Sequence, residues 1–225
     1  VERLRVAVRG TETLAEYMQL SKSKQDDLKD VGGFVAGTLA GNRRKANAVI
    51  SRDIITLDLD NIPAGGTAET LRRLEALGCA YSVYSTRKHE EARPRLRVLA
   101  PFNRTVSADE YEPLARRLGS IIGIELCDPT TFQAVRLMYW PSCSADSQFI
   151  SQYADKPFLD ADGLLATYAD WRNVAEWPQV PGAQQAHIRL AAKQGEPTEK
   201  QGVVGASADN MTSIAPLKPS CPGCT

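Results

Sequence analysis

Ile54-Ile55-Thr56-Leu57-Asp58-Leu59-Asp60 decides how the rest of the chain is read. Side chains of a strand alternate between its faces, so Ile55, Leu57 and Leu59 share one face and Thr56, Asp58 and Asp60 the other. The apolar row calls for a layer of helices over it. The two carboxylates then stand together on the opposite face, where their repulsion is costly unless a cation lies between them. A hard divalent ion such as Mg²⁺ takes oxygen sites of this kind, with one or two carboxylates and substrate phosphates as ligands. An isolated Asp-x-Asp would equally suit a strand that ends in a turn with Asp58 solvated; the apolar run ahead of it favours the functional reading.

The flanking sequence supplies the other elements. Pro63 and Gly65-Gly66 end the strand. Thr67–Leu77 then carries Leu71, Leu74 and Leu77 on one helical stripe, with Gly78 behind it. Ala80–Ser85 and Leu96–Phe102 read as strands, and Ser107 and Glu110 form a capping box that opens a helix ending near Ile122. Ala134–Trp140 reads as a last strand, stopped by Pro141. The order from 54 to 140 is the ferredoxin- or RRM-like βαββαβ pattern, an α+β class whose helices cover one sheet face and leave the other open for a ligand. Upstream, Glu12–Lys24 has weak helical periodicity, and Phe34–Ala40 and Ala46–Ser51 flank Gly41-Asn42 as an N-terminal hairpin extension. Beyond Asp160, Leu164, Leu165 and Tyr168 suggest one more helix. The expected domain is 11–178, with its core at 54–140, followed by a linker and tail over 179–225. Residues 207–225 carry no periodicity and read as disordered.

With 225 residues, 27 Lys+Arg and 27 Asp+Glu, the chain has room for one cored domain plus appendages, and its balance excludes collagen-like and low-complexity classes. No apolar run approaches the ~18 residues of a membrane span, and no signal peptide precedes Thr11, so a cytoplasmic protein without a membrane partner is expected. Cys79, Cys127, Cys143, Cys221 and Cys224 are an odd, scattered set that does not form a disulfide framework. The spacing of Cys221 and Cys224 is half a zinc site with no second pair, a chance match. Zero net charge gives no global case for nucleic acid, but the bases gather locally, at 43–52 and again at 87–104.

Arg95 and Arg97 alternate with Leu96 and Val98, which places both guanidiniums on the open face beside the carboxylates. A planar fork donor next to a divalent ion suits a triphosphate; the alternative is an arginine-rich strand salt-bridged to Asp58 or Asp60. His89 could donate to a phosphate or ligate a metal, or be a surface residue of a basic loop. Asp128 could be a third carboxylate or an Asp-Pro turn starter. Arg136 alternates with Val135 and Leu137 and points to the open face.

Together these residues resemble a known family. Thr11-Glu12-Thr13, Glu16-Tyr17, Lys29-Asp30-Val31-Gly32-Gly33-Phe34-Val35, Leu57-Asp58-Leu59-Asp60, Pro94-Arg95-Leu96-Arg97, Asp128-Pro129-Thr130-Thr131-Phe132 and Arg136-Leu137-Met138-Tyr139-Trp140-Pro141 follow one another as in the primase-polymerase domain of phage and prophage replication proteins. That domain is a branch of the archaeo-eukaryotic primase superfamily, and the resemblance runs from Thr11 to Ala206. It implies primer synthesis from nucleoside triphosphates on a single-stranded DNA template in a bacterial host cell, by two-metal transfer with Mg²⁺ or Mn²⁺. It implies that Asp58, Asp60 and Asp128 are catalytic metal ligands. A Ser-x-His motif falls within Ser85–His89, with Arg87 where the histidine is expected, so Ser85, Arg87 and His89 are assigned to nucleotide phosphates. Arg95, Arg97 and Arg136 join them, and Arg43, Arg44, Lys45 and Arg52 would track template phosphates. No Gly-x-x-x-x-Gly-Lys-Ser/Thr motif occurs, so unwinding is expected from a helicase domain or protein. After Gly205-Ala206 the chain departs from the family pattern, and 207–225 reads as a frame slip or fragment end.

Two rival readings share the Asp-x-Asp. A haloacid-dehalogenase-like phosphatase would use Asp58 as nucleophile and Asp60 as general acid, but needs a doubly wound parallel sheet, against which the adjacent strand pair at 80–102 argues. A non-catalytic replication module on the same fold would stack bases on open-face aromatics, where this chain offers carboxylates and arginines.

Overall fold

The computed structural model describes residues 2–41 and 43–182; Cys221, Cys224 and the expected disordered tail lie outside them. The chain runs β1 (Val8–Arg9), α1 (Leu14–Gln19), α2 (Lys22–Lys29), β2 (Gly33–Phe34), β3 (Gly37–Leu39), β4 (Val49–Leu59), α3 (Thr67–Glu75), β5 (Tyr81–Ser85), β6 (Leu96–Ser107), α4 (Ala108–Ile122), β7 (Met138–Tyr139), β8 (Ser142–Cys143), β9 (Ser151–Ala154) and α5 (Ala161–Leu165). Five strands form one sheet in the order β3-β4-β6-β5-β9, each pair antiparallel. An antiparallel sheet excludes the phosphatase reading, which requires parallel strands.

All of the decisive heptapeptide but Asp60, which follows directly, lies in β4, which fuses two strands expected separately at 46–51 and 54–60. A register shift between Arg52 and Ile54, whose partners on β6 are Val106 and Pro101, absorbs the break. β3 packs tightly on β4 because residue 37 is glycine: a Cβ there would stand 2.0 Å from the Ser51 carbonyl oxygen. Ile55, Leu57 and Leu59 do face the helical layer. They are buried with Val83, Leu96, Val98 and Ala100 against Leu74 of α3 and Tyr111, Leu114, Leu118 and Ile122 of α4, each side chain contributing about 1.5–3 kcal/mol. The capping box is formed: the Ser107 hydroxyl accepts from the Glu110 N–H, and the Glu110 carboxylate from the Ser107 N–H.

The last expected strand is the main correction. Only Met138–Tyr139 is extended there, and it pairs with β2 instead of the sheet. β4 keeps β3 along its first half, and a 3-10 turn at Pro129–Phe132 takes the edge beyond. The Asp58 N–H donates to the Thr131 hydroxyl (2.7 Å), that hydroxyl donates to the Thr56 carbonyl (3.3 Å), and the Asp128 N–H donates to the Asp58 carbonyl (2.8 Å). A side-chain hydroxyl thus serves the groups a fourth strand would have paired. The βαββαβ pattern is realised as three strands and two helices.

The second face is not left open either. β1 pairs in parallel with β8, and β2 antiparallel with β7, so the N-terminal segment is stitched to residues 138–143. A small apolar cluster of Leu4, Tyr84 and Leu99, with Phe34, Ile54, Trp140 and Phe149 against it, fills the space beneath. Cys79, Cys127 and Cys143 are free and buried. No helix among the described residues is long and apolar enough to cross a membrane.

Candidate active site

What the second face leaves uncovered is a cavity of about 380 Å³. Its floor is a row of residues set by strand register: Asp58 on β4 opposite Arg97 on β6, and Arg97 opposite Tyr84 on β5. The Arg97 Nε donates to Asp58 Oδ1 (2.6 Å), and its Nη1 to the Tyr139 carbonyl (2.8 Å) and the Tyr84 hydroxyl (3.3 Å). The Tyr84 hydroxyl donates in turn to the Tyr139 carbonyl (2.7 Å). Burial disfavours the Arg97 charge, but the Asp58 carboxylate outweighs it and lifts the guanidinium pKa above its ordinary value. Two residues along, Arg95 Nη1 lies 2.5 Å from Asp60 Oδ2. Burial raises the Asp60 pKa, with Asp58 and Asp128 adding to it and Arg95 opposing it.

Lys22 and Lys29 of α2, Arg87 and Lys88 after β5, Arg44 from the β3–β4 tip and Arg136 complete a wall in which eight bases meet three acids, Asp26, Asp58 and Asp60. Burial, then the like charge of Lys22, lowers the Lys29 pKa; its Nζ sits 4.7 Å from the centre of the Tyr139 ring. Arg87 is buried over the Tyr17 ring and ion-paired with Glu12. Such a basin favours a polyanion.

Asp58 and Asp60 are the side chains here that would hold a divalent ion. Each spends one oxygen on an arginine, leaving Asp58 Oδ2 and Asp60 Oδ1 without a hydrogen-bond partner among the described residues, which suits an ion that draws its other ligands from phosphate and water. No set of three His, Cys, Asp or Glu side chains converges among the described residues.

Several expected site residues fall elsewhere. Asp128 does not line the cavity: its Oδ1 accepts from the Thr130 N–H and hydroxyl (both 2.8 Å), and Arg136 Nη2 is 3.6 Å from its Oδ2. Ser85 is paired in register with Leu96 on the helical face, and its hydroxyl accepts from the Ile150 N–H (2.9 Å). His89 lines a separate, smaller cavity with Glu90, Glu91 and Asp146. Its Nδ1 accepts from the Arg95 N–H (3.1 Å), and burial pushes its pKa down. Arg52 is fully buried, donating to the carbonyls of Ala36, Ala134 and Ile54 and to the hydroxyls of Thr56 and Tyr111; it cannot meet a template. Arg43 and Lys45 are exposed, and Arg44 donates to the Val135 carbonyl (3.3 Å) while lining the cavity. Arg87, Arg95, Arg97 and Arg136 line it, with Arg95 and Arg97 salt-bridged to Asp60 and Asp58 as in the alternative reading of that strand. Tyr84, Lys22 and Lys29 had no assigned role; only the register and the fold of the N-terminal segment bring them in.

Residues 1–180 match the VapE N-terminal domain. Among solved structures, the AEP domain of the cyanophage S-2L primase-polymerase (PrimPol) is similar, with 18% identity over 65% of this chain and 76% of that one, at a TM-score of 0.42. No curated protein matches the chain.

Proposed function

Since the chain belongs to the VapE N-terminal domain family, in keeping with the resemblance its motifs carry, we propose that it is a DNA-dependent primase-polymerase that builds primers from nucleoside triphosphates in phage or prophage replication. The observation that supports this reading best is the pair Asp58 and Asp60, each with an oxygen to spare, on the floor of a basin with eight bases. Both product strand and substrate are polyanions, and nucleotidyl transfer needs negative charge neutralised where the pyrophosphate leaves.

In this reading Asp58 and Asp60 hold Mg²⁺ or Mn²⁺, which when bound lowers the pKa of the primer 3′-hydroxyl and neutralises the triphosphate. Arg97, locked by three hydrogen bonds, fixes the Asp58 carboxylate against rotation. Arg95, Arg87, Lys29 and Arg136, which line the cavity, bind and orient the triphosphate. Arg43 and Lys45, exposed at the hairpin tip, track single-stranded template through its phosphates. Unwinding is left to a helicase domain or protein, because the sequence has no Walker motif.

The test is incubation of the full chain with single-stranded DNA, labelled nucleotides and Mn²⁺ or Mg²⁺. Products longer than a dinucleotide are expected, and Asp58→Asn or Asp60→Asn should reduce them by at least about 100-fold while DNA binding persists. Robust synthesis by either variant overturns the assignment. DNA binding by the wild-type chain that ignores metal and nucleotide, with no synthesis, would favour a non-catalytic replication module.

A further inference from the structure

Arg95 and Arg97 are two residues apart and each holds one of the paired carboxylates, yet they are held very differently. Arg97 is buried, lies in register with Asp58, and makes three hydrogen bonds that fix its guanidinium. Arg95 lies just ahead of β6, its side chain is 19% exposed, and among the described residues its guanidinium makes a single hydrogen bond, to Asp60. Its Nε is buried with no partner among the described residues. A buried donor left unpaired is uncommon and costs stability. Arg95 lines the cavity, and a phosphate bound there would compete for its guanidinium fork.

A divalent ion that takes a ligand from Asp60 competes with the Arg95 guanidinium for one carboxylate's charge. A triphosphate competes with that carboxylate for one guanidinium. Each ligand therefore removes the obstacle to the other. We infer that Arg95 is a coupling residue, shared between Asp60 and a triphosphate, which makes divalent ion and nucleotide bind this cavity with positive cooperativity. The inference rests on the proposed reading of the cavity as a metal–nucleotide site, and deepens it by dividing the labour: Arg97 positions Asp58, and Arg95 exchanges. By linkage, whatever factor the triphosphate adds to metal affinity, the metal adds to triphosphate affinity.

The experiment measures binding, not synthesis, on the full chain. Free Mn²⁺ is followed by its paramagnetic resonance signal, and inorganic triphosphate with a chelator present by calorimetry. Arg95→Gln should bind Mn²⁺ alone about tenfold more tightly than the wild type, because a competing positive charge is gone, and should bind triphosphate alone more weakly. Arg95→Lys keeps the charge and should bind Mn²⁺ as the wild type does. Opposite shifts from one substitution are what a merely structural arginine would not give, since damage to the site weakens both ligands together. If Arg95→Gln leaves Mn²⁺ affinity unchanged or lowers it while both ligands bind the wild type, the coupling role is overturned and the metal–nucleotide reading survives. If neither ligand binds the wild type or any variant, that reading itself has failed.

Discussion

Arg43, Arg44, Lys45 and Arg52 form one basic stretch of sequence, but the fold gives them opposite surroundings. Arg52 stands on a strand whose neighbours turn three carbonyls and two hydroxyls toward it, and its guanidinium lies 4.0 Å from the centre of the Tyr111 ring. Arg52→Ala orphans those acceptors and is expected to cost about 3 kcal/mol in urea unfolding. Arg43→Ala and Lys45→Ala should leave stability within about 0.5 kcal/mol and instead flatten the salt dependence of DNA binding, by about one unit of log–log slope each. His89 makes a pH-dependent contribution. Burial holds its imidazole below the ordinary value near 6.5, so just under that pH the unfolded chain takes up a proton that the folded chain refuses. Its stability is intact above 6.5 and declines as pH falls through that value toward the lowered one. His89→Asn, which keeps an acceptor for the Arg95 N–H but does not titrate, should close its stability gap to the wild type on acidification; a gap that is flat with pH would contradict the placement.

Among the elements, the edge of β4 matters most, because Asp58 hangs from it. The backbone groups there that face away from β6 are paired by the Thr131 hydroxyl and the Asp128 N–H. Thr131→Val keeps the shape but strands the Asp58 N–H, while the Thr56 carbonyl keeps the Tyr111 hydroxyl (3.4 Å), at a cost of about 1–3 kcal/mol. It should also lower nucleotide incorporation, whereas Thr131→Ser should restore both. A loss of stability without any loss of incorporation would show that the turn does not position Asp58. The expected strand at 134–140 shows why this edge was not legible. Apolar alternation reports that a segment can be extended and half-buried, not which edge it joins. The stretch Asp128-Pro129-Thr130-Thr131 takes that edge of β4 instead, through a hydroxyl, a pairing that no periodicity announces.

For the molecule as a whole, the N-terminal segment is a structural part of the site. Glu12 pairs with the buried Arg87, and its backbone carbonyl accepts from the Ala145 N–H (2.8 Å). Gly10 passes so close that a Cβ would lie 2.6 Å from Arg87 Nη2. Burial raises the Glu12 pKa, but its backbone N–H, Arg87 and Ser144 outweigh that and hold it below the ordinary value. Glu12→Ala leaves Arg87 buried and unpaired and should cost about 3 kcal/mol, seen as faster proteolysis ahead of β3 and weaker triphosphate binding; unchanged protection would detach this segment from the cavity. Sequence alone determined the two faces of β4, the helices over one of them, the antiparallel neighbours and the facing of Asp58, Arg95 and Arg97, because strand alternation and capping chemistry are local. It took tertiary structure to decide that Arg52 goes inside, that Ser85, His89 and Asp128 serve other contacts, and that Tyr84 and Lys29 line the cavity while Glu12 pairs with its Arg87. Those outcomes depend on which distant segment satisfies each buried polar group, and that is settled only when the whole chain closes over the sheet.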